Sequence, residues 1–128
     1  MFLKLINNIE GILFDFDGVL FNTEPLWFQA SINTLKKLNI NYNKKIYYKD
    51  TIGVESNIVF QKLLNKKIYD NKIKQINKVY SREVKKIFLK KIKPVPYLTN
   101  FLKNSNIPRG IVSNSNKNYI NDLLHRSN

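Results

Sequence analysis

The stretch Ile9-Glu10-Gly11-Ile12-Leu13-Phe14-Asp15-Phe16-Asp17-Gly18 decides the fold. Its apolar run stops on two acids and a glycine, a pattern typical of a buried parallel strand followed by a loop. A second apolar run, Arg109-Gly110-Ile111-Val112-Ser113, also stops on polar residues, Asn114-Ser115-Asn116. The sequence therefore predicts two strands of a parallel sheet, each with polar groups at its carboxyl end.

Helical patterns fill the rest of the chain. A helix start is predicted at Glu24-Pro25, and two prolines, Pro94 and Pro96, end the longest pattern. A strand, a helical block, a second strand and a helix indicate an α/β fold interrupted by an all-helical insertion. Because a doubly wound sheet has about five or six strands, two strands predict an incomplete sheet. Apolar residues recur at helical spacing in five segments: 26–38, 54–64, 68–92, 97–103 and 118–125.

Composition narrows the classes of protein that remain. The 128 residues include no cysteine, which excludes disulfides, thiolate zinc sites and cysteine nucleophiles. The net charge is +13, yet only three of the 22 basic residues are arginine, the residue on which phosphate and base recognition depends most. We therefore expect a solvated basic surface that favours anionic small molecules, with no nucleic-acid partner. No apolar run approaches the length of a membrane span, so we expect no membrane contact and a cytoplasmic location.

The candidate catalytic residues lie at the carboxyl ends of the two predicted strands. Ligands of open α/β sheets bind at the carboxyl ends of the strands, so Asp15 and Asp17 would meet Ser113 and Asn114 if the strands are neighbours. One carboxylate can attack phosphorus while the other gives a proton to the leaving oxygen. Their crowded negative charge needs a cation, and Mg²⁺ with hard oxygen ligands is the usual one.

Simpler interpretations of the same residues exist. Asp and Gly after a strand can form an ordinary turn, and Ser113 and Asn114 can cap the next helix. Glu24 can be a first-turn helix acid, and Gly53 can be a segment end. The position of Asp15 and Asp17 directly after an apolar strand favours a catalytic role over an ordinary turn.

The segment Phe14-Asp15-Phe16-Asp17-Gly18-Val19-Leu20 resembles the first signature of the haloacid dehalogenase superfamily. Ile111-Val112-Ser113-Asn114-Ser115 resembles the second. The resemblance implies a Rossmann-like core at 1–21 and 92–128 and a helical cap at 22–91. The segments at 22–27 and 50–53 are similar to the cap segments of sugar-phosphate phosphatases and β-phosphoglucomutase relatives. One departure is Asn22, where relatives commonly carry aspartate.

The resemblance also implies roles for individual residues. Asp15 would form an aspartyl-phosphate, and Asp17 would act as acid and then as base. Mg²⁺ would bind Asp15 and the main-chain carbonyl of Asp17. Ser113, Asn114 and Gly18 would hold the phosphoryl group, and Glu24 and Gly53 would serve the cap or the substrate. The second aspartate, Asp17, indicates phosphate chemistry over dehalogenation.

Three functions remain open at this point. The first is a Mg²⁺-dependent phosphatase that acts, as a monomer, on a small phosphorylated metabolite such as a sugar phosphate. The second is a phosphoglucomutase-type isomerase that uses the same aspartyl-phosphate. The third is a truncated chain without catalysis, because the lysine and acidic signatures of the superfamily would lie after residue 128. Because it would lack the lysine and acidic signatures, the 128-residue chain alone is expected to be a poor phosphatase.

Overall fold

The computed structural model describes residues 9–126. Within this range the elements follow the order predicted from the sequence, and the α/β class with a partial sheet and an all-helical insertion is confirmed. The described elements are β1 (Ile12–Phe14), α1 (Glu24–Lys37), a 3-10 helix (Tyr48–Thr51), α2 (Ser56–Leu64), α3 (Asp70–Lys91), α4 (Leu98–Asn104), β2 (Arg109–Ile111) and α5 (Lys117–Arg126).

The chain divides into two compact units, which we describe separately. The strand unit comprises the chain up to Asn22 together with the chain from Lys93 onward, and the helical unit is Thr23–Ile92. The assignment of 22–91 as a cap stays a prediction. Within the described residues, no helix is both long and apolar enough to cross a membrane.

β1 and β2 pair in parallel, as the sequence predicts. The partners are Ile12 with Arg109, Leu13 with Gly110 and Phe14 with Ile111. The ladder continues one step, because the Val112 amide donates to the Phe14 carbonyl at 2.9 Å. Both strands are three residues long, shorter than their apolar runs. Their carboxyl ends lie side by side.

The core of the strand unit is built around the segment that follows β1. Phe16, Leu20 and Phe21 are buried there, together with Leu123 of α5. The Val95 amide donates to the Leu20 carbonyl at 2.9 Å and so fastens the returning chain to this segment. The acidic motif is therefore anchored by the apolar residues interleaved with it.

The helical unit has its own apolar core. α1 starts at Glu24 with a proline in its first turn, as predicted. Ring contacts reinforce the packing: Trp27 lies 4.6 Å from Phe88 and Phe60 lies 5.3 Å from Tyr80, centroid to centroid. Trp27 is thus a packing residue of this core. The central buried cluster consists of Ile32, Leu35, Val59, Phe60, Leu63 and Ile76.

One residue of α3 departs from the expected apolar stripe. Glu83 is only 4% exposed, although a charged side chain is seldom buried without a partner. The Lys37 ammonium lies 2.6 Å from its carboxylate, and Lys86 lies 3.6 Å away. The hydrogen bond with Lys37 lowers the pKa of Glu83 against the opposing effect of burial. This ion pair joins α1 to α3.

Candidate active site

The chain turns sharply after β1, and this turn carries the second acid of the motif. The Phe16 carbonyl accepts hydrogen bonds from the amides of Leu20 at 3.1 Å and Phe21 at 3.3 Å. The Gly18 amide donates to the Phe21 carbonyl at 2.7 Å. Gly18 has φ 76, a left-handed conformation that favours glycine. Gly18 therefore shapes the turn, and Asp17 is held half-buried just before it.

Asp15 lies one residue beyond the last strand pair, at the edge where both strands end. Its side chain is exposed, so the carboxylate is accessible from solvent. The Phe16 amide donates to Asp15 Oδ1 at 2.6 Å. A main-chain donor of this kind orients the carboxylate.

Asp17 is held through both carboxylate oxygens. The Ser115 hydroxyl donates a short hydrogen bond to Oδ2. The Tyr119 hydroxyl donates to Oδ1 across 3.4 Å, which is long for a hydrogen bond. These contacts bring the acidic motif after β1 together with the segment after β2, 98 and 102 residues further along the chain.

The loop after β2 is ordered by its own side chains. The Ser113 hydroxyl accepts a hydrogen bond from the Ser115 amide at 3.0 Å. Asn116 caps α5, because its Oδ1 accepts from the Asn118 amide at 2.9 Å. The interpretation of Ser113 and Asn114 as the cap of this helix is therefore wrong. Ser113 is half-buried and Asn114 is exposed, both at the sheet edge that follows β2.

Phe16 connects the segment after β1 with helix α5. It lies between the two acids in the chain and is completely buried. Its ring contacts Phe21 at 5.1 Å and meets Tyr119 edge-to-face, with 5.8 Å between centroids and 74° between planes. The aromatic contact places α5 against the segment that bears both carboxylates.

Two residues whose hydroxyl groups bond to Asp17 are not singled out by the sequence. Ser115 is part of the second motif, and Tyr119 is one position of the last predicted helix. Ser115 lies two residues after the serine of that motif, which offers a weak signal. Nothing in the sequence distinguishes Tyr119 from the other six tyrosines.

The remaining predicted site residues, Glu24 and Gly53, belong to the helical unit. Glu24 is the first residue of α1, where its negative charge also suits the helix N-terminus. Burial raises the pKa of Tyr80 to about 12, and the charge of Glu24 contributes to this rise. Gly53 is exposed, has φ 67, and would meet no neighbour if it carried a Cβ. Their roles toward a substrate stay predictions.

The oxygen atoms that the resemblance implies as magnesium ligands are chemically suited to this hard cation. The candidate ligands are the exposed Asp15 carboxylate and the main-chain carbonyl of Asp17, both hard oxygens. Across residues 9–126 there is no group of three or more His, Cys, Asp or Glu side chains that could hold a metal. Mg²⁺ is commonly bound through one or two carboxylates with water in its other positions, so a site with the single carboxylate of Asp15 is chemically reasonable.

Two parallel strands with acids at their shared end, and a helical block between them in the sequence, define the class as an α/β enzyme fold with a helical insertion. The model of the haloacid dehalogenase-like hydrolase family matches residues 12–128. The chain therefore belongs to this family, as the signature after β1 predicts.

Solved structures share the fold. A haloacid dehalogenase-like family hydrolase from Streptococcus pneumoniae superposes with a TM-score of 0.74 at 19% identity, over 93% of this chain and 56% of that one. A family IA hydrolase from Entamoeba histolytica has a TM-score of 0.70 at 23% identity, over 93% of this chain and 55% of that one. The present chain thus spans about half the length of these structural relatives.

One similar protein of known function is Hexitol phosphatase B of Escherichia coli K12. It is 31% identical over 51 residues, which are 40% of this chain and 23% of that protein. The aligned residues therefore make up less than a quarter of the length of that protein.

Proposed function

We propose that this chain carries the nucleophile and the acid/base residue of a Mg²⁺-dependent phosphatase that hydrolyses a small phosphorylated metabolite of the sugar-phosphate class. The observation that carries the proposal is the shared strand end. Exposed Asp15 follows β1, and Asp17 is hydrogen-bonded to Ser115 in the loop that follows β2. A nucleophile, a second carboxylate and hydroxyl groups around one point are what phosphoryl transfer through a covalent intermediate requires.

In the first step, an Asp15 carboxylate oxygen attacks phosphorus and the bond from phosphorus to the ester oxygen breaks. The ester oxygen takes a proton from Asp17 and leaves as the alcohol. In the second step, water attacks the aspartyl-phosphate while Asp17 takes a proton from that water. Inorganic phosphate leaves, and both carboxyl groups return to their starting forms.

The remaining residues stabilise charge in this scheme. Ser113 and Asn114 donate hydrogen bonds to the phosphoryl oxygens from the end of β2. Asp15 and the Asp17 carbonyl would hold Mg²⁺, which would offset the negative charge that two acids and a phosphate bring together. The net charge of +13 gives the chain a positive field that attracts anionic substrates.

The name of Hexitol phosphatase B supports a substrate of the sugar-phosphate class. A role of Glu24 and Gly53 toward the substrate is part of this proposal. A phosphoglucomutase-type reaction would use the same aspartyl-phosphate and would return the phosphoryl group to another hydroxyl of the sugar.

The test combines trapping with turnover. Beryllium trifluoride binds an aspartate carboxylate in place of a phosphoryl group, and ¹⁹F NMR detects the complex without any turnover. We expect a Mg²⁺-dependent complex with the wild-type chain and none with Asp15→Asn. Phosphate release from sugar phosphates, which is expected to be slow for the chain alone, is measured alongside, with β-glucose 1-phosphate examined for isomerisation. A wild-type chain that gives neither a complex nor phosphate above the Asp15→Asn background would contradict the proposal.

A further inference from the structure

The Asp17 carboxylate is fixed from two sides by hydroxyl groups. Ser115, in the loop after β2, donates to Oδ2, and Tyr119, in the first turn of α5, donates to Oδ1. A carboxylate bound at both oxygens cannot rotate about its side-chain bonds without losing one of these contacts. The two hydroxyls therefore select one orientation of Asp17.

The two donors are themselves supported. The Ser115 amide donates to the Ser113 hydroxyl at 3.0 Å, which fixes the loop that carries Ser115. The Tyr119 ring rests edge-to-face on buried Phe16. Support of this kind matters for an acid/base group, because a misplacement of about 1 Å can cost roughly 10²-fold in rate.

We propose that Ser115 and Tyr119 are positioning residues that orient Asp17 for proton transfer to the leaving oxygen. The inference rests on the proposed function and assigns these two residues a part in it. They act through Asp17 and need no contact with the phosphate. Tyr119 makes the smaller contribution, because its hydroxyl lies 3.4 Å from Oδ1, which is long for a hydrogen bond.

The effect of a misoriented Asp17 on the rate depends on the leaving group. The alcohol oxygen of a sugar phosphate must receive a proton as its bond to phosphorus breaks, whereas p-nitrophenolate leaves as a stable anion. A misoriented Asp17 therefore slows the release of a sugar alcohol and has little effect on the release of p-nitrophenolate. Damage to the fold would slow both reactions alike.

The kinetic experiment uses the full chain with Mg²⁺ and two substrates, a sugar phosphate and p-nitrophenyl phosphate. We expect Ser115→Ala to lower kcat/KM for the sugar phosphate by about 10- to 100-fold and to leave p-nitrophenyl phosphate nearly unchanged. Ser115→Thr keeps the hydroxyl and should restore the rate, and Tyr119→Phe should show a smaller loss of the same kind. Ser81→Ala is the matched control, because Ser81 donates an exposed hydroxyl hydrogen bond within α3. Equal losses on both substrates, or none, would overturn the proposal.

A second measurement does not depend on turnover. In chain labelled with ¹³C at the aspartate carboxyl carbons, the Asp17 signal is assigned by its disappearance in Asp17→Asn. We expect it to shift in Ser115→Ala and to return in Ser115→Thr, while the Asp15 signal stays in place. An Asp17 signal that does not respond overturns the positioning role. A responding signal in a chain that binds no beryllium trifluoride and releases no phosphate contradicts the proposed function instead.

Discussion

Replacement of Phe16 by alanine should remove much of the stability of the strand unit. Phe16 is 0% exposed, and truncation of a buried phenylalanine to alanine costs about 3–5 kcal/mol. Whole domains are stable by only about 5–15 kcal/mol, so the loss is a large fraction of the total. Phe16→Leu keeps most of the volume but loses the ring contacts with Phe21 and Tyr119. At about 0.5–1.5 kcal/mol for each aromatic pair, this milder change should cost about 1–3 kcal/mol.

The assay is urea unfolding of the full chain, followed by circular dichroism. Leu13→Ala is the matched control, because Leu13 lies on the neighbouring strand β1 and is 75% exposed. Its replacement should change the free energy of unfolding by no more than about 0.5 kcal/mol. The reasoning is refuted if Phe16→Ala unfolds at the wild-type urea concentration, or if Leu13→Ala costs as much as Phe16→Ala.

Three further predictions concern single residues. Asp17→Asn should slow dephosphorylation by about 10²–10⁴-fold and let the aspartyl-phosphate accumulate, which acid quenching and mass spectrometry would reveal; an unchanged rate without accumulation would count against the acid/base role. The pKa of Glu83 is held below its ordinary value of 4.5, so its ion pair stabilises the helical unit above that pH, and the contribution is lost as the pH falls through the lowered value. Urea unfolding at a series of pH values should show this loss in the wild type and not in Glu83→Gln, and identical pH profiles would refute it. Gly53→Ala should cost about 1–2 kcal/mol through its left-handed backbone alone, since its Cβ would meet no neighbour; a variant as stable as the wild type would contradict this.

The sequence predicts the parts of the fold that depend on local patterns. The start of α1 at Glu24 follows from a proline in the first turn, and the two strands follow from apolar runs that end on polar residues. The strands are shorter than their apolar runs. After β1 the Phe16 carbonyl accepts hydrogen bonds from the amides of Leu20 and Phe21, so the backbone turns away from the strand direction.

Local sequence patterns do not predict contacts between segments that are distant along the chain. Glu83 sits on the apolar side of α3 because Lys37 of α1 reaches it, and no periodicity within α3 reveals that partner. The approach of Ser115 and Tyr119 to Asp17 depends in the same way on the parallel pairing of the strands and on the start of α5. Sequence motifs located Asp15 and Asp17, while the tertiary fold supplied the groups that hold Asp17.

Phosphoryl trapping on Asp15 tests the central claim most directly. The wild-type chain is incubated with Mg²⁺ and a phosphate ester, quenched in acid and digested, and the peptide that contains Asp15 is weighed by mass spectrometry. The account predicts a phosphorylated peptide that is absent from Asp15→Asn, whose turnover should also fall on the order of 10³-fold or more. Near-normal turnover by Asp15→Asn, or a phosphoryl group found on another residue in the wild type, would contradict the assignment of Asp15 as the nucleophile.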